Sequence, residues 1–220
     1  MIARHMLTPL LKKKRAYKVY QCDLKNKNMI GPALVGQGDA IYLDAFILNV
    51  DPTIFTDFIE ELTNNVDAPA FDKVIVPINA DNFSSRDTLQ TFYHLIAAGI
   101  DMSTVYVIFT NVKDESEFDA NFVVENKAFL NSLFNLEVTL IATPILKSDI
   151  YQKLDAKKND NYVVCNLGNV KADYFKKILA DAYEKNDYVE IQDAMMKCDL
   201  YVASRDAASA LNVIFKSIFN

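Results

Sequence analysis

Polar side chains follow several of the apolar runs in this chain, at the points where a run ends. Carboxylates carry charge, and amides donate and accept hydrogen bonds at once. A set of such side chains at the ends of neighbouring strands is therefore suited to ligand binding. Single residues of these types are also common turn formers. The candidates are Asp23, Asp44, Asn79 to Asp81, Asn111 to Asp114, and Thr143 with Pro144.

Other kinds of catalytic or metal chemistry have little support in the residue inventory. His5 and His94 are the only imidazoles, and both fall in segments that predict helices. Neither they nor the three scattered cysteines have the spacing of a structural zinc site. The same scarcity argues against a Ser/His/Asp or Cys/His catalytic set. Scattered cysteines in odd number suit a reducing cytosol.

The candidate residues must be positioned by strands that alternate with helices. Runs 74–78, 105–110 and 137–142 are apolar on both faces, which predicts strands covered on both faces. The fold class predicted is therefore α/β, with a mostly parallel sheet flanked by helices on both faces, in a single domain over 1–220. In such sheets ligands bind beyond the carboxyl ends of the strands.

The remaining elements follow from periodicity and from turn residues. A strand is predicted at 17–22, another begins the run 40–50, and 163–167 is a short strand or a loop. A helix over 2–14 should kink at Pro9, which lacks a backbone donor. The other predicted helices are 53–64, 84–98, 117–134, 150–154, 173–183, 190–198 and 202–219.

Composition excludes several classes of protein. The 220 residues are 51% hydrophobic and 24% charged, values that exclude a wholly disordered chain. A net charge of −6 argues against a global electrostatic grip on nucleic acid. No apolar stretch approaches the length of a membrane span, and the basic first 15 residues lack the order of a secretory signal. We therefore expect a cytoplasmic protein that binds neither membrane nor nucleic acid directly.

Five segments, in order, resemble the StbB-like plasmid stability ATPases, a branch of the ParA/MinD class of P-loop ATPases. The order of the segments carries the resemblance, which runs from residue 2 to residue 215. The segments are IARHMLTPLL, IYLDAFILNV, FDKVIVPINADNFSSRDTLQTFYHLIAAGI, VYVIFTNVKDESEF and YVASRDAASALNVIF.

The resemblance implies roles for six of the residues. Asp44 corresponds to the Walker B carboxylate, which holds the water shell of Mg²⁺, and the amide of Asn111 would read the adenine edge. Thr143 and Pro144 match a loop that packs on the base. Asp23 and Asn49 match switch positions. The implied cofactor is Mg-ATP, and the implied partners are a second copy in a homodimer and a DNA-binding adaptor protein.

One departure from that family is large. The Gly-rich loop ending in Gly-Lys-Ser/Thr, which cradles phosphate, does not occur in this sequence. The strand before that loop is missing too, and in the family it lies in the middle of the sheet. We expect two strands to be left with unpaired backbone groups, or to close up. We also expect a start codon upstream, the alternatives being a truncated remnant or a protein that has abandoned ATP hydrolysis.

The function expected from the resemblance is plasmid or mobile-element maintenance in a bacterial cytoplasm. A second hypothesis is a non-enzymatic pseudo-ATPase that binds a partner of the segregation or conjugation machinery. A third is an unrelated doubly wound protein that binds a nucleotide sugar or a flavin, although the glycine fingerprint of a dinucleotide site is absent.

Overall fold

The described elements up to residue 147 include strands and helices, and every described element after that point is a helix. The computed structural model describes residues 1–11, 17–26, 45–65, 71–156 and 163–219. These form two compact units, which we name the sheet unit (Leu11–Lys147) and the terminal unit (Met1–Leu10 with Ser148–Asn220). A single functional domain over 1–220 stays a prediction.

The sheet unit has parallel strands throughout its described part. One sheet pairs β1 with β2, and the other has the order β3–β4–β5, with β6 also beside β4. The chain is thus α/β with parallel sheets and helices, as predicted at that level. The strands are β1 (Tyr17–Cys22), β2 (Ala45–Val50), β3 (Val74–Asn79), β4 (Val105–Val112), β5 (Thr139–Leu140) and β6 (Ile145–Leu146).

Nine helical segments are described, and most match the predicted positions. A 3₁₀ turn (Pro52–Ile54) leads into α2, and a second one (Met102–Thr104) precedes β4. The segments are α1 (π-helical Ala3–Leu7, then α-helical Thr8–Leu11), α2 (Phe55–Asn65), α3 (Ser85–Ala97), α4 (Glu115–Glu117, then π-helical Phe118–Val123), α5 (Lys127–Asn135), α6 (Ile150–Asp155), α7 (Val164–Gly168), α8 (Ala172–Lys185) and α9 (Tyr188–Phe219).

Only β4 fulfils the expectation of a strand covered on both faces. It lies between β3 on one side and β5 with β6 on the other, and Asn111 is its one exposed residue. Both residues of β5 are exposed, so that prediction was wrong for the segment 137–142, in which the strand is also much shorter. The apolar run there contributes Val138 and Ile141, which flank β5, to the buried core.

The outer edge of β3 has a proline in a position that a central strand rarely tolerates. The N–H of Ala80 donates to the carbonyl of Thr110 in β4, at 2.9 Å. Because backbone groups two residues apart point the same way, Ile78 also faces β4, whereas Pro77 and Asn79 face away. A proline belongs on such an edge because it has no N–H to donate.

β2 also has an outer edge, whose backbone groups point away from its partner strand β1. The N–H of Asp51 donates to the carbonyl of Cys22 in β1, so the backbone groups of Leu48 and Val50 point away from β1. Among the described residues, no strand pairs with the outer edge of β2 or of β3. Both sheets nevertheless contribute to one hydrophobic core with α2, α3 and α5.

Helix packing explains why 163–167, predicted as a short strand or loop, is instead α7. A Cβ added at Gly168 would lie 2.4 Å from the Cβ of Ala208 and 2.7 Å from the carbonyl oxygen of Ser204. The absence of a side chain at Gly168 therefore allows α7 to lie directly on α9. This packing outweighs the β-branched residues at 163 and 164, which favour a strand.

The first helix includes Pro9, which lies in its α-helical part, Thr8–Leu11. Its first turn is π-helical, and the N–H of Thr8 donates to the carbonyl of Ala3, five residues back. A wider turn of this kind is a common way to accommodate an interrupted hydrogen-bond ladder. The predicted extension of this helix to 14 lies outside the described residues.

Candidate functional site

The carboxyl end of β4 carries a β-bulge at Asn111. Thr110 pairs with Ile145 and Val112 pairs with Leu146, so Asn111 is an extra residue relative to β6. Its φ angle is 58°, in the left-handed region that asparagine tolerates better than most residues. Bulges of this kind redirect a side chain at the rim of a sheet.

The bulge leaves Asn111 exposed between two buried neighbours in β4. Within the described part of the chain, its side-chain amide has no hydrogen-bond partner, so it can donate to and accept from a ligand. Thr143 is half-buried and comes two residues before Ile145, the residue of β6 next to the bulge. Asn111 and Thr143, both predicted site residues, therefore lie on or next to the paired strands β4 and β6. Pro144 is buried, which limits its access to a ligand.

A charged pair spans the end of β4. Thr110 pairs with Asn79 and with Ile145, so β3 and β6 lie on opposite sides of β4. Asp81 follows β3 and Lys147 follows β6, and Lys147 Nζ lies 2.5 Å from Asp81 Oδ2.

Neighbouring groups fix the position of this pair and lower the pKa of its carboxylate. The backbone N–H of Lys147 donates to the carbonyl of Val112 at 2.7 Å, which fixes the end of β6. The hydrogen bond from Lys147 holds the pKa of Asp81 below its ordinary value, and the charges of Lys147 and Lys113 act in the same direction. Two lysines and one carboxylate beside an open amide favour a polar ligand that carries negative charge.

The carboxyl ends of β1 and β2 offer carboxylates instead. Asp23 Oδ1 accepts hydrogen bonds from the backbone N–H groups of Lys25 and Asn26, at 2.9 and 3.0 Å. The amide of Asn49 donates to Gln21 Oε1 at 2.6 Å, across the β1–β2 pairing. Of the predicted switch residues, Asp23 therefore binds the turn that follows β1, and Asn49 binds a side chain of β1. A switch role for either residue stays a prediction.

The carboxylate that follows β2, as the structure describes that strand, is Asp51. The prediction placed a strand before residue 44, but the strand that the structure describes begins at Ala45 and ends at Val50. Asp44 itself lies outside the described residues. The residue that follows the carboxyl end is Asp51, and its hydrogen bond to Cys22 places it beside the end of β1.

Asp51 is a fixed and ionised carboxylate. Its Oδ1 accepts from the Thr53 hydroxyl at 2.6 Å and from the Thr53 backbone N–H at 2.9 Å. These two bonds hold its pKa below the ordinary value. A carboxylate of this kind suits Mg²⁺, which keeps several of its own waters and needs only one or two carboxylates. Asp51 and Asp23 fit that requirement, although the described residues hold no cluster of three metal-ligating side chains.

No protein-family model, no curated protein and no solved structure matches the chain. None of the described helices combines the length and the apolarity that crossing a membrane requires.

Two features of the site were missed by sequence reasoning. Asp51 had a usable signal, because it directly follows the apolar run FILNV and precedes Pro52. The Asp81–Lys147 pair had none, since its members are 66 residues apart and β6 was not predicted.

Proposed function

We propose that this chain binds an adenine nucleotide at the carboxyl end of β4, as a StbB-like relative of the ParA/MinD ATPases. The observation that carries the proposal is the amide of Asn111, exposed and unpartnered within the described residues and presented by a left-handed bulge. An amide in that state can pair with the adenine edge, which offers one donor and one acceptor. Thr143, two residues before the Ile145 that pairs with Thr110, would border the base.

Magnesium would be held through water by the carboxylates that end β1 and β2. Asp51 takes the role expected of Asp44, because it ends the strand, is ionised and is already oriented by Thr53. Bound Mg²⁺ would neutralise phosphate charge, and Asp51 would orient its water shell. The Gly-rich phosphate loop does not occur in this sequence, so no residue named here is assigned to the hydrolytic step.

The division of the strands into two sheets supports the proposal. The family resemblance predicts that a strand is missing between two neighbours, and β2 and β3 each have an outer edge that no described strand pairs with. On this proposal the protein serves plasmid or mobile-element maintenance in a bacterial cytoplasm. It would act as a homodimer, and a DNA-binding adaptor would supply contact with nucleic acid.

The alternative function is a pseudo-ATPase that binds a partner of the segregation or conjugation machinery. Two observations favour it: the sequence lacks the phosphate cradle, and Pro144 is buried where the resemblance expects a base-packing loop. Saturable Mg-ATP binding supports the nucleotide site, whereas absence of binding at millimolar nucleotide supports the pseudo-ATPase.

The variant Asn111→Gly tests the adenine contact without straining the backbone, because glycine adopts the left-handed region freely. We expect Mg-ATP affinity, measured by isothermal titration calorimetry, to fall roughly tenfold through loss of two neutral hydrogen bonds. Asn186→Gly is the matched control, since Asn186 is also an exposed asparagine with a positive φ, of 53°, in the terminal unit. Equal affinities for the two variants would reject the assignment of Asn111.

The variant Asp51→Asn tests the magnesium site. Asparagine still caps the 3₁₀ turn but loses the charge, so we expect Mg²⁺ to bind the nucleotide complex roughly 10- to 100-fold more weakly. Asp101 is a close match, because its Oδ1 also accepts from the hydroxyl and N–H of the residue two positions on, before the amino end of β4. An equal loss of Mg²⁺ affinity in Asp101→Asn would show a capping effect and not a metal site.

A further inference from the structure

His5 is a buried histidine in the terminal unit, and each of its two ring nitrogens has a hydrogen-bond partner. Its side chain is 0% exposed. The backbone N–H of Val164 donates to Nδ1 at 3.3 Å, and Nε2 lies 3.2 Å from Asp155 Oδ1. A backbone N–H can only donate, so Nδ1 carries no proton and Nε2–H donates to Asp155.

These contacts join three elements that are distant in sequence. His5 belongs to α1, Asp155 ends α6, and Val164 begins α7. The N–H of Val164 is one of the first-turn donors that a helix cannot satisfy itself, so His5 completes the start of α7. The ring of Tyr151 in α6 lies against the imidazole, with centroids 5.4 Å apart.

Protonation of Nδ1 would break this arrangement. The added proton would face the Val164 N–H, replacing a hydrogen bond with two opposed donors, and would place a positive charge in a buried site. Burial lowers the pKa of His5 from its ordinary value of 6.5, and the nearby Asp155 carboxylate offsets only part of this effect.

The charges around His5 come from α6 and from α1 itself. Asp155 is shared with Arg4, whose Nη1 lies 2.7 Å from the same Oδ1, and the charge of Arg4 disfavours a second positive charge on the ring. Tyr151 stays neutral because burial raises its pKa to about 12. Elsewhere, α7 contributes the buried Cys165 thiol, and the buried residues of α9 are apolar apart from Ser204.

We propose that His5 is a pH-sensitive latch, which holds α1 against α6 and α7 while neutral and releases it when protonated. The direction in pH follows from proton linkage. The released state binds a proton near the ordinary pKa and the held state does not, so release becomes more favourable as pH falls below about 6.5. The ratio of released to held molecules rises by up to about tenfold for each pH unit, until the pKa of the held state is reached.

Hydrogen exchange of the full chain, read by mass spectrometry at about pH 7.5 and about pH 5.5, tests the latch. After correction for the intrinsic effect of pH, we expect the protection of residues 2–11 to fall roughly tenfold at the lower pH. A peptide from α3, which carries the other histidine, His94, is the internal reference. Unchanged protection of residues 2–11 relative to that peptide would overturn the proposal.

Three variants separate the latch from general acid sensitivity. Gln at position 5 can accept from Val164 and donate to Asp155 without titrating, so His5→Gln should lose the pH dependence, whereas His94→Gln should keep it. Asp155→Asn removes the carboxylate that favours the protonated ring, so the pKa of the held state should fall and the rise in release should continue to lower pH. Retained pH dependence in His5→Gln would overturn the proposal.

A direct reading of the imidazole covers the case in which His5→Gln does not fold. In His94→Gln the only remaining imidazole is that of His5. Its ¹⁵N resonances at neutral pH should show an unprotonated Nδ1, with protonation only below pH 6.5. A ring that carries its proton on Nδ1 at neutral pH would contradict the latch.

Discussion

At the scale of single residues, three side chains other than glycine occupy the left-handed backbone region, and residue types differ in how well they tolerate it. Asn111, Glu137 and Asn186 are the described residues other than glycine with positive φ. Asparagine has a low conformational cost in this region, so the backbone at Asn111 is little strained while its amide is exposed. Glu137 has no such preference, and its position after α5 is one that glycine normally fills.

Glu137→Gly should therefore stabilise the protein. Glutamate is exposed at this position with φ of 63°, and its N–H donates to the carbonyl of Phe134, a bond that glycine keeps. We expect the free energy of unfolding in urea to rise by about 1 kcal/mol through relief of the left-handed penalty. Glu184→Gly, inside α8, is the control and should lower it by about 0.5–1 kcal/mol. A loss of stability in both variants would contradict this account.

Sequence reasoning located Asn111 but not the geometry that makes it available. The residue was singled out because it follows the apolar run VYVIFT, and that position at the end of β4 is confirmed. The bulge could not be predicted, because it is defined only by the pairing of β4 with β6. β6 is two residues long and lies more than 30 positions after Asn111. Asp51 was overlooked because the resemblance directed attention to Asp44 within the same apolar run.

At the scale of elements, the close packing of α7 on α9 determines the structure of residues 163–167. Local propensity predicted a short strand or a loop there. Residues 163 and 164 are both valine, which favours a strand, and Gly168 is a poor helix former. The helix forms because α9 offers the small residues Ser204 and Ala208 opposite Gly168. Tertiary packing of this kind is not visible in a local pattern.

Gly168→Ala should be among the more damaging single-methyl changes in the terminal unit. The new methyl would lie 2.4 Å from Ala208 Cβ and 2.7 Å from the Ser204 carbonyl oxygen, so the two helices must separate. We expect a loss of about 1–3 kcal/mol in the free energy of unfolding, measured in urea. Combining it with Ala208→Gly should restore part of the loss, because only the contact with the Ser204 carbonyl remains. A loss that Ala208→Gly leaves unchanged would contradict the contact.

At the scale of the whole molecule, alternation of apolar strands and helices was enough to predict an α/β chain with parallel strands. The arrangement of those strands in two sheets, and of the chain in two units, depends on contacts between distant residues. The His5–Asp155 contact, for example, spans 150 positions. No local pattern marks such a pair, so neither the terminal unit nor its histidine could be derived from periodicity.

The central claim is that the side chain of Asn111 contacts an adenine nucleotide. The most direct test follows the side-chain NH₂ resonances of Asn111 by ¹⁵N NMR during titration of the full chain with Mg-ATP, the resonances being assigned by their loss in Asn111→Gly. The account predicts a saturable shift of these signals, while the NH₂ signals of Asn186 stay in place. Signals of Asn111 that do not move at millimolar nucleotide would contradict it, and would leave the pseudo-ATPase as the better description.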